Sequence, residues 1–235
     1  MNGTSWRYDD GALTLVGEIF APESPNGRAV LVVHEADGIG GNVRRHCALL
    51  AEAGYVAAAA DMHGGGRVLA ADHIPGALAA FRADPPLLRR RVRAALDAVM
   101  SETDLPADRV AAIGYCFGGL AVLELARSGA ALGAVASFHG LLTTRAPAAP
   151  GTIVPRVLAC TGALDPLVPQ DDVAAFQAEM IAAQADWQLL VHGPALHSYT
   201  NPDVDRLDDP RMAYHAASAA LSWSAFMKFL EQSLA

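Results

Sequence analysis

The segment that constrains this chain most runs from Arg109 to Arg127: Arg-Val-Ala-Ala-Ile-Gly-Tyr-Cys-Phe-Gly-Gly-Leu-Ala-Val-Leu-Glu-Leu-Ala-Arg. An unbroken apolar run enters a glycine-bracketed turn and leaves it as an amphipathic helix. An apolar run without alternation is a strand covered on both faces, as in a parallel sheet packed between helices. The turn Gly114-Tyr115-Cys116-Phe117-Gly118-Gly119 has the Gly-x-nucleophile-x-Gly form, with Cys where Ser is commoner. Gly114 and Gly118 give clearance where such a turn brings strand and helix together. The helix points its N-terminus at Cys116, where its dipole and free N–H groups favour a thiolate or an oxyanion. The N–H of Phe117 is expected to form half of an oxyanion hole.

The same alternation extends over nearly the whole chain. Strands are expected over 13–20, 28–34, 55–60, 109–113, 132–138, 156–161 and 187–191. Helices are expected over 42–53, 68–82, 87–101, 117–128, 170–183 and 212–230, with Pro86 placed to open the third. The pattern predicts one α/β domain over residues 1–235, its mostly parallel sheet flanked by helices on both faces. With 235 residues, 52% hydrophobic and 18% charged, the chain can bury a large core without a disulfide or metal. The Pro- and Ala-rich stretch 141–153 reads as a surface connection, the alternative being a cover over the site.

Composition narrows the function. A net charge of −8 argues against a nucleic-acid surface. The one dense basic run, Arg89-Arg90-Arg91-x-Arg93, reads as a solvated helix face, or else as a docking site for an anionic substrate. No apolar run reaches the roughly 18 residues of a membrane helix, and the N-terminus lacks a signal-peptide layout. Three scattered cysteines do not make a disulfide framework, and Cys47 and Cys160 read as buried structural residues. These features predict a cytoplasmic protein, monomer or homodimer, with neither nucleic acid nor membrane as partner. No cofactor and no metal are implied. His34-Glu35 lacks the second His of a zinc motif. Gly38-Ile39-Gly40-Gly41 followed by Asp61 imitates a dinucleotide fingerprint, but Val43 stands at the third glycine position.

A nucleophile of this kind needs a base and an acid. Asp165 follows the strand expected over 156–161, and His197 follows the one over 187–191, in the chain order nucleophile, acid, His. His197 would take the thiol proton and return it to the leaving group, with Asp165 fixing its tautomer. His192, at a strand end, is the alternative base. Asp171 and Asp172 read as helix N-terminal carboxylates, and His139 is placed to line the site.

With these residues in place, the chain resembles the dienelactone hydrolase family of α/β-hydrolases. The likeness rests on Gly-Tyr-Cys-Phe-Gly-Gly (114–119), Ser-Phe-His-Gly (137–140), Gly-Ala-Leu-Asp-Pro (162–166), Ala-Leu-His-Ser-Tyr (195–199), Val-Val-His-Glu (32–35) and Ala-Ala-Asp-Met-His-Gly (59–64). It implies that Glu35 contacts the resting Cys116 and holds its thiol neutral until substrate displaces it. It implies further that the N–H of Ala36 completes the oxyanion hole. His63, His139, Tyr199 and Asn201 are the candidate substrate-binding residues. Well-known members carry an Arg at the position of Asn201, and Tyr is common at the position of His63. The implied activity is cysteine-dependent hydrolysis of a small-molecule ester or lactone through an acyl-enzyme. The alternatives are a carboxylesterase or thioesterase with another acyl substrate, and a non-catalytic binding module.

Overall fold

Six parallel strands form the centre of the protein, seen in a computed structural model that describes residues 2–234. They are β3 (Ala29–Val33), β4 (Val56–Ala60), β5 (Val110–Tyr115), β6 (Ala134–Phe138), β7 (Arg156–Gly162) and β8 (Trp187–His192). Two antiparallel strands, β1 (Thr4–Asp10) and β2 (Leu13–Phe20), complete the sheet in the order β1-β2-β4-β3-β5-β6-β7-β8. The helices are α1 (Gly41–Glu52), α2 (Ile74–Ala83), α3 (Pro85–Thr103), α4 (Phe117–Arg127), α5 (Gln170–Ala182) and α6 (Ala216–Ser233).

The central strands are apolar throughout because both of their faces are covered. In β5, Val110 and Ala112 join the core formed with α3, α4 and α5, around Leu88, Val92, Leu123 and Phe176. Ala111, Ile113 and Tyr115 face the opposite core, built on Val43, Cys47 and Leu50 of α1 and Phe226 and Leu230 of α6. The period-two split of one strand between two cores produces the expected three-layer architecture.

Several expectations need correction. The sheet does not begin at Leu13: β1 precedes it and pairs along its length with β2 across a turn at Gly11, whose φ is 63°. This strand alternates exposed and buried residues, and only Trp6, Tyr8 and Asp10 point inward, so its apolar signal is thin. Residues 68–73 are not helical, since α2 starts at Ile74 with Pro75 in its first turn. α3 starts at Pro85 rather than Pro86, capped by the Asp84 side chain, which accepts from Leu87 N at 3.0 Å. The last helix starts at Ala216, not at 212, because His215 caps it through an Nδ1 that accepts from Ser218 N.

The basic run is a solvated face only in part. Arg91 is buried, its Nε 2.7 Å from Asp10 Oδ2 and its Nη1 donating to Met62 O at 2.7 Å. Arg90 meets the other oxygen of Asp10 at 2.7 Å, and Arg89 meets Glu124 at 2.8 Å. Arg90, whose side chain is 63% exposed, and Arg93, in an exposed i,i+4 pair with Asp97, fit the expectation. The run therefore ties α3 to β1 and α4. Among the described residues, no helix is long and apolar enough to cross a membrane.

Candidate active site

The turn from β5 into α4 places Cys116 at φ 53° and ψ −113°, outside the ordinary regions for an L-residue. The two bracketing glycines make this geometry available. A Cβ on Gly114 would lie 2.0 Å from the carbonyl oxygen of Gly118, and one on Gly118 would lie 2.2 Å from that of Val33. Any side chain there would push α4 off the sheet. The turn is held from below, where Cys116 N donates to Phe138 O at 3.0 Å and lies 3.1 Å from His139 Nδ1.

The loops after β7 and β8 bring the partners in. His197 is fully buried, with Nε2 3.1 Å from Cys116 Sγ and Nδ1 2.7 Å from Asp165 Oδ2. The other oxygen of Asp165 accepts from Leu167 N at 2.8 Å, which fixes the carboxylate's rotation. Burial alone lowers the pKa of His197. The negative charge of the adjoining Cys116 sulfur, then the hydrogen bonds from Asp165 and Cys116, reverse this and raise it to about 10. The arrangement can move a proton between sulfur and imidazole while the carboxylate steadies the charged ring. Phe117, the first residue of α4, has no residue four positions back in the helix to accept from its N–H. Ala36 lies just beyond β3, the strand beside β5.

Glu35 departs from the sequence expectation. Its carboxylate makes no hydrogen bond to Cys116. Instead Oε1 and Oε2 each accept from Asn201 Nδ2 at 3.2 Å, and Oε1 accepts from Asn42 Nδ2 at 3.3 Å. Asn201 Oδ1 is occupied by Asp203 N at 2.9 Å, so the amide must turn its NH2 to Glu35. Burial, then the negative charge of Asp37, raise the Glu35 pKa to about 7, against the lowering effect of the two asparagines.

The candidate substrate-binding residues also sit differently. Tyr199 does not line the site: it is fully buried, its hydroxyl 2.8 Å from Ser222 Oγ. His139 lies beneath the turn with no exposure, Nδ1 toward Cys116 N and Nε2 donating to Thr200 Oγ1 at 2.8 Å. Burial, then the charge on His197, hold it well below the usual histidine range, so it is a neutral support. His63 stacks on Phe117 at 13° and its Nε2 donates to Ala36 O at 3.0 Å, holding the Glu35–Asp37 loop. Asn201 spends its amide donor on Glu35. The alternative base, His192, pairs with Ser222 Oγ at 2.7 Å, so its ring is committed away from Cys116.

Sequence reasoning missed His34, Asn42, Thr200 and Arg82. His34 Nε2 accepts from Met62 N at 3.1 Å, which leaves its Nδ1 proton for Glu35 O. Asn42 carries no motif that would have marked it. An apolar cavity of about 70 Å³ opens at Cys116 and His197, walled by Leu78, Phe117, Leu120, Leu141 and Leu167, with Arg82 at its edge. The 141–153 loop thus borders the site through Leu141, and Arg127 Nη2 pins it by donating to Leu142 O at 2.6 Å. Among the described residues, no group of three or more His, Cys, Asp or Glu is arranged to hold a metal ion.

Known proteins resemble this one over its full length. The model of the dienelactone hydrolase family matches residues 15–234. An Escherichia coli O157:H7 protein named "Putative carboxymethylenebutenolidase" is 30% identical over 216 residues, spanning 86% of this chain and 76% of that one. A solved structure named m3DLH is 38% identical with a TM-score of 0.92, over 99% of this chain and 98% of the other. A dienelactone hydrolase-like promiscuous phosphotriesterase, P91, from metagenomic libraries is 36% identical with a TM-score of 0.90, over 100% of both chains.

Proposed function

The chain belongs to the dienelactone hydrolase family and is a carboxylic ester hydrolase; on that footing we propose that it cleaves a small-molecule ester or lactone with Cys116 as nucleophile. The observation that carries the proposal is the row Asp165 Oδ2, His197 Nδ1, His197 Nε2, Cys116 Sγ, with links of 2.7 Å and 3.1 Å.

With the proton of the Cys116–His197 pair on His197 Nε2, the sulfur attacks the carbonyl carbon. The new S–C bond displaces the π pair onto oxygen, and the N–H groups of Phe117 and Ala36 receive that oxyanion. Collapse breaks the C–O bond, and His197 returns its proton to the departing alkoxide. A water, deprotonated by the same nitrogen, then attacks the acyl-thioester. The second tetrahedral intermediate collapses to release the acid and the Cys116 thiolate, which the His197 proton restores to the resting pair. Asp165 holds the Nδ1–H tautomer and the charged ring throughout.

In this reading residues 1–235 work as one unit. The three unpaired cysteines suit a reducing compartment, and the enzyme is placed in the cytoplasm.

The test is hydrolysis of p-nitrophenyl acetate and a panel of small lactones, a dienelactone among them, by wild type and Cys116→Ala. Likeness to P91 adds a phosphate triester to the panel. Loss of turnover in the variant, with a wild-type acyl adduct found on the Cys116 peptide by mass spectrometry, supports the proposal. Turnover that survives Cys116→Ala rejects it.

A further inference from the structure

Cys116 and His197 stand on different parts of the sheet, so their separation is set by whatever joins the two supports. Cys116 follows β5, while His197 lies in the loop after β8, with β6 and β7 between them. That loop is bonded mainly to the segment that leads into α6. His197 N donates to Arg211 O at 3.2 Å, Ala213 N to His197 O at 3.2 Å, and His215 N to Tyr199 O at 3.0 Å. Among the described residues, only two hydrogen bonds join residues 195–200 to the ends of β5 and β6. One is the His197–Cys116 link itself, and the other runs from His139 Nε2 to Thr200 Oγ1 at 2.8 Å.

His139 is built into the sheet at the middle of this path. Its backbone N–H donates to Cys160 O at 2.8 Å, which seats it at the end of β6. Its ring reaches both ways, with Nδ1 3.1 Å from Cys116 N and Nε2 on Thr200. The first contact is not needed to satisfy Cys116 N, which already donates to Phe138 O at 3.0 Å. An apolar side chain at position 139 would therefore leave no atom of the nucleophile turn unpaired, and the polarity of the ring has another cause. The backbone along the same path is strained. Six non-glycine residues among those described have a positive φ, and three lie here: Cys116 at 53°, His139 at 41° and Ser198 at 55°. Such conformations persist only where the surroundings impose them. Burial, then the charges of His197 and His46, keep the ring neutral, so Nδ1 remains an acceptor and Nε2 a donor.

We propose that His139 is a positioning residue: through Cys116 N on one side and Thr200 Oγ1 on the other, it holds the nucleophile turn and the base loop at the separation where Cys116 Sγ and His197 Nε2 share a proton. That bond is 3.1 Å long and weakens steeply as it lengthens or bends. A misplacement of about 1 Å in a reacting pair can cost about a hundredfold in rate. This inference rests on Cys116 and His197 acting as nucleophile and base.

The test is the pH dependence of Cys116 alkylation by iodoacetamide, read by mass spectrometry of the Cys116 peptide after treatment of the full chain. Wild type is compared with Thr200→Val, Thr200→Ser, His139→Asn and the Thr200→Val/His139→Asn double variant. Val keeps the volume of Thr200 and removes the acceptor, while Ser keeps the acceptor and loses a methyl group. Asn tolerates the backbone at His139 and offers an acceptor where Nδ1 stands, but it does not reach Thr200. Cutting the link weakens the thiolate–imidazolium pair, so the thiolate needs a higher pH. The acid-side inflection should rise by about one pH unit in Thr200→Val and in His139→Asn, the shift that a tenfold weaker pair produces. Their kcat/KM for p-nitrophenyl acetate should fall about tenfold, and the double variant should be no worse than either single one. Thr200→Ser should recover the wild-type inflection and most of the wild-type rate. The position of an inflection does not depend on how much of a sample is folded. An inflection that neither Thr200→Val nor His139→Asn moves overturns the inference, as does a Thr200→Ser that is more harmful than Thr200→Val, or losses that multiply in the double variant. Wild-type turnover that survives complete alkylation of Cys116 would overturn the assignment of the nucleophile instead.

Discussion

Two polar clusters meet beside the same turn, and they are built to opposite ends. In the first, Asp165, His197 and Cys116 stand in series, each atom bonded to the next, so a proton can travel along the row. In the second, Asn201 and Asn42 converge on the single carboxylate of Glu35. Amides have no titratable proton near neutrality, and Asn201 Oδ1 is tied to Asp203 N. This second cluster can fix a carboxylate but cannot relay a proton. The comparison teaches that acidic residues within one site are told apart by their partners: a histidine makes Asp165 part of a proton path, and two amides hold the Glu35 carboxyl outside it.

The largest effects should come from breaking the series. Cys116→Ala and His197→Ala should each lower kcat by about four to six orders of magnitude, and the double variant should be scarcely worse than either. Residues that act as one unit are non-additive, so single-turnover rates of the three variants check this directly. Effects that simply multiply would mean that the two side chains act separately. Asp165→Asn should cost about three to four orders of magnitude, because an amide at this position no longer holds the Nδ1–H tautomer. A loss below tenfold would remove Asp165 from the row.

The first cluster was legible in the sequence and the second was not. The turn at Cys116 is local: strand, glycines and helix follow one another, and the strain they permit is written in six consecutive residues. Asp165 and His197 could be placed because each follows a strand in a parallel sheet, where side chains at the carboxyl ends converge. The partnership of Glu35 with Asn201 spans 166 positions and joins residue types that carry no pattern. Resemblance placed Glu35 against the thiol, and the amide at position 201 supplied the competing partner. Long-range pairing also hid the role of the arginine run, whose Arg91 finds Asp10 across 81 positions. β1 escaped for another reason, since an edge strand with one wet face carries too few apolar residues to stand out.

The second cluster should be felt as a pH effect on stability. The Glu35 carboxyl is raised to about 7 in the fold against an ordinary value of 4.5, so between these pH values the folded state binds more protons than the unfolded one. The contribution of Glu35 to stability should therefore fall as pH rises through that window and level off above it, on top of the opposite slope from the buried histidines. Glu35→Gln removes that contribution, which is read as the difference between the two proteins. The variant should match wild type below pH 4.5 and exceed it by up to about 3 kcal/mol above pH 7. Urea unfolding across pH 4–8 measures the difference, and parallel curves for the two proteins would show that Glu35 does not titrate in the window.

The smallest effect sharpens the comparison most. Asn201 donates to the charged form of Glu35, so Asn201→Ala should move the Glu35 titration further upward, the direction in which its burial already acts. The cost in stability at pH 8 should be about 1–2 kcal/mol, the usual scale for hydrogen bonds to a charged group. In a Glu35→Gln background the same substitution should cost less, because a neutral amide gains less from the Asn201 donor. The pH at which the stability difference from the matching Glu35→Gln protein levels off reads the titration, and the double-mutant cycle reads the coupling. An unmoved titration with zero coupling energy would show that the Asn201 contact does not govern the Glu35 charge. The two clusters would then differ in composition but not in function.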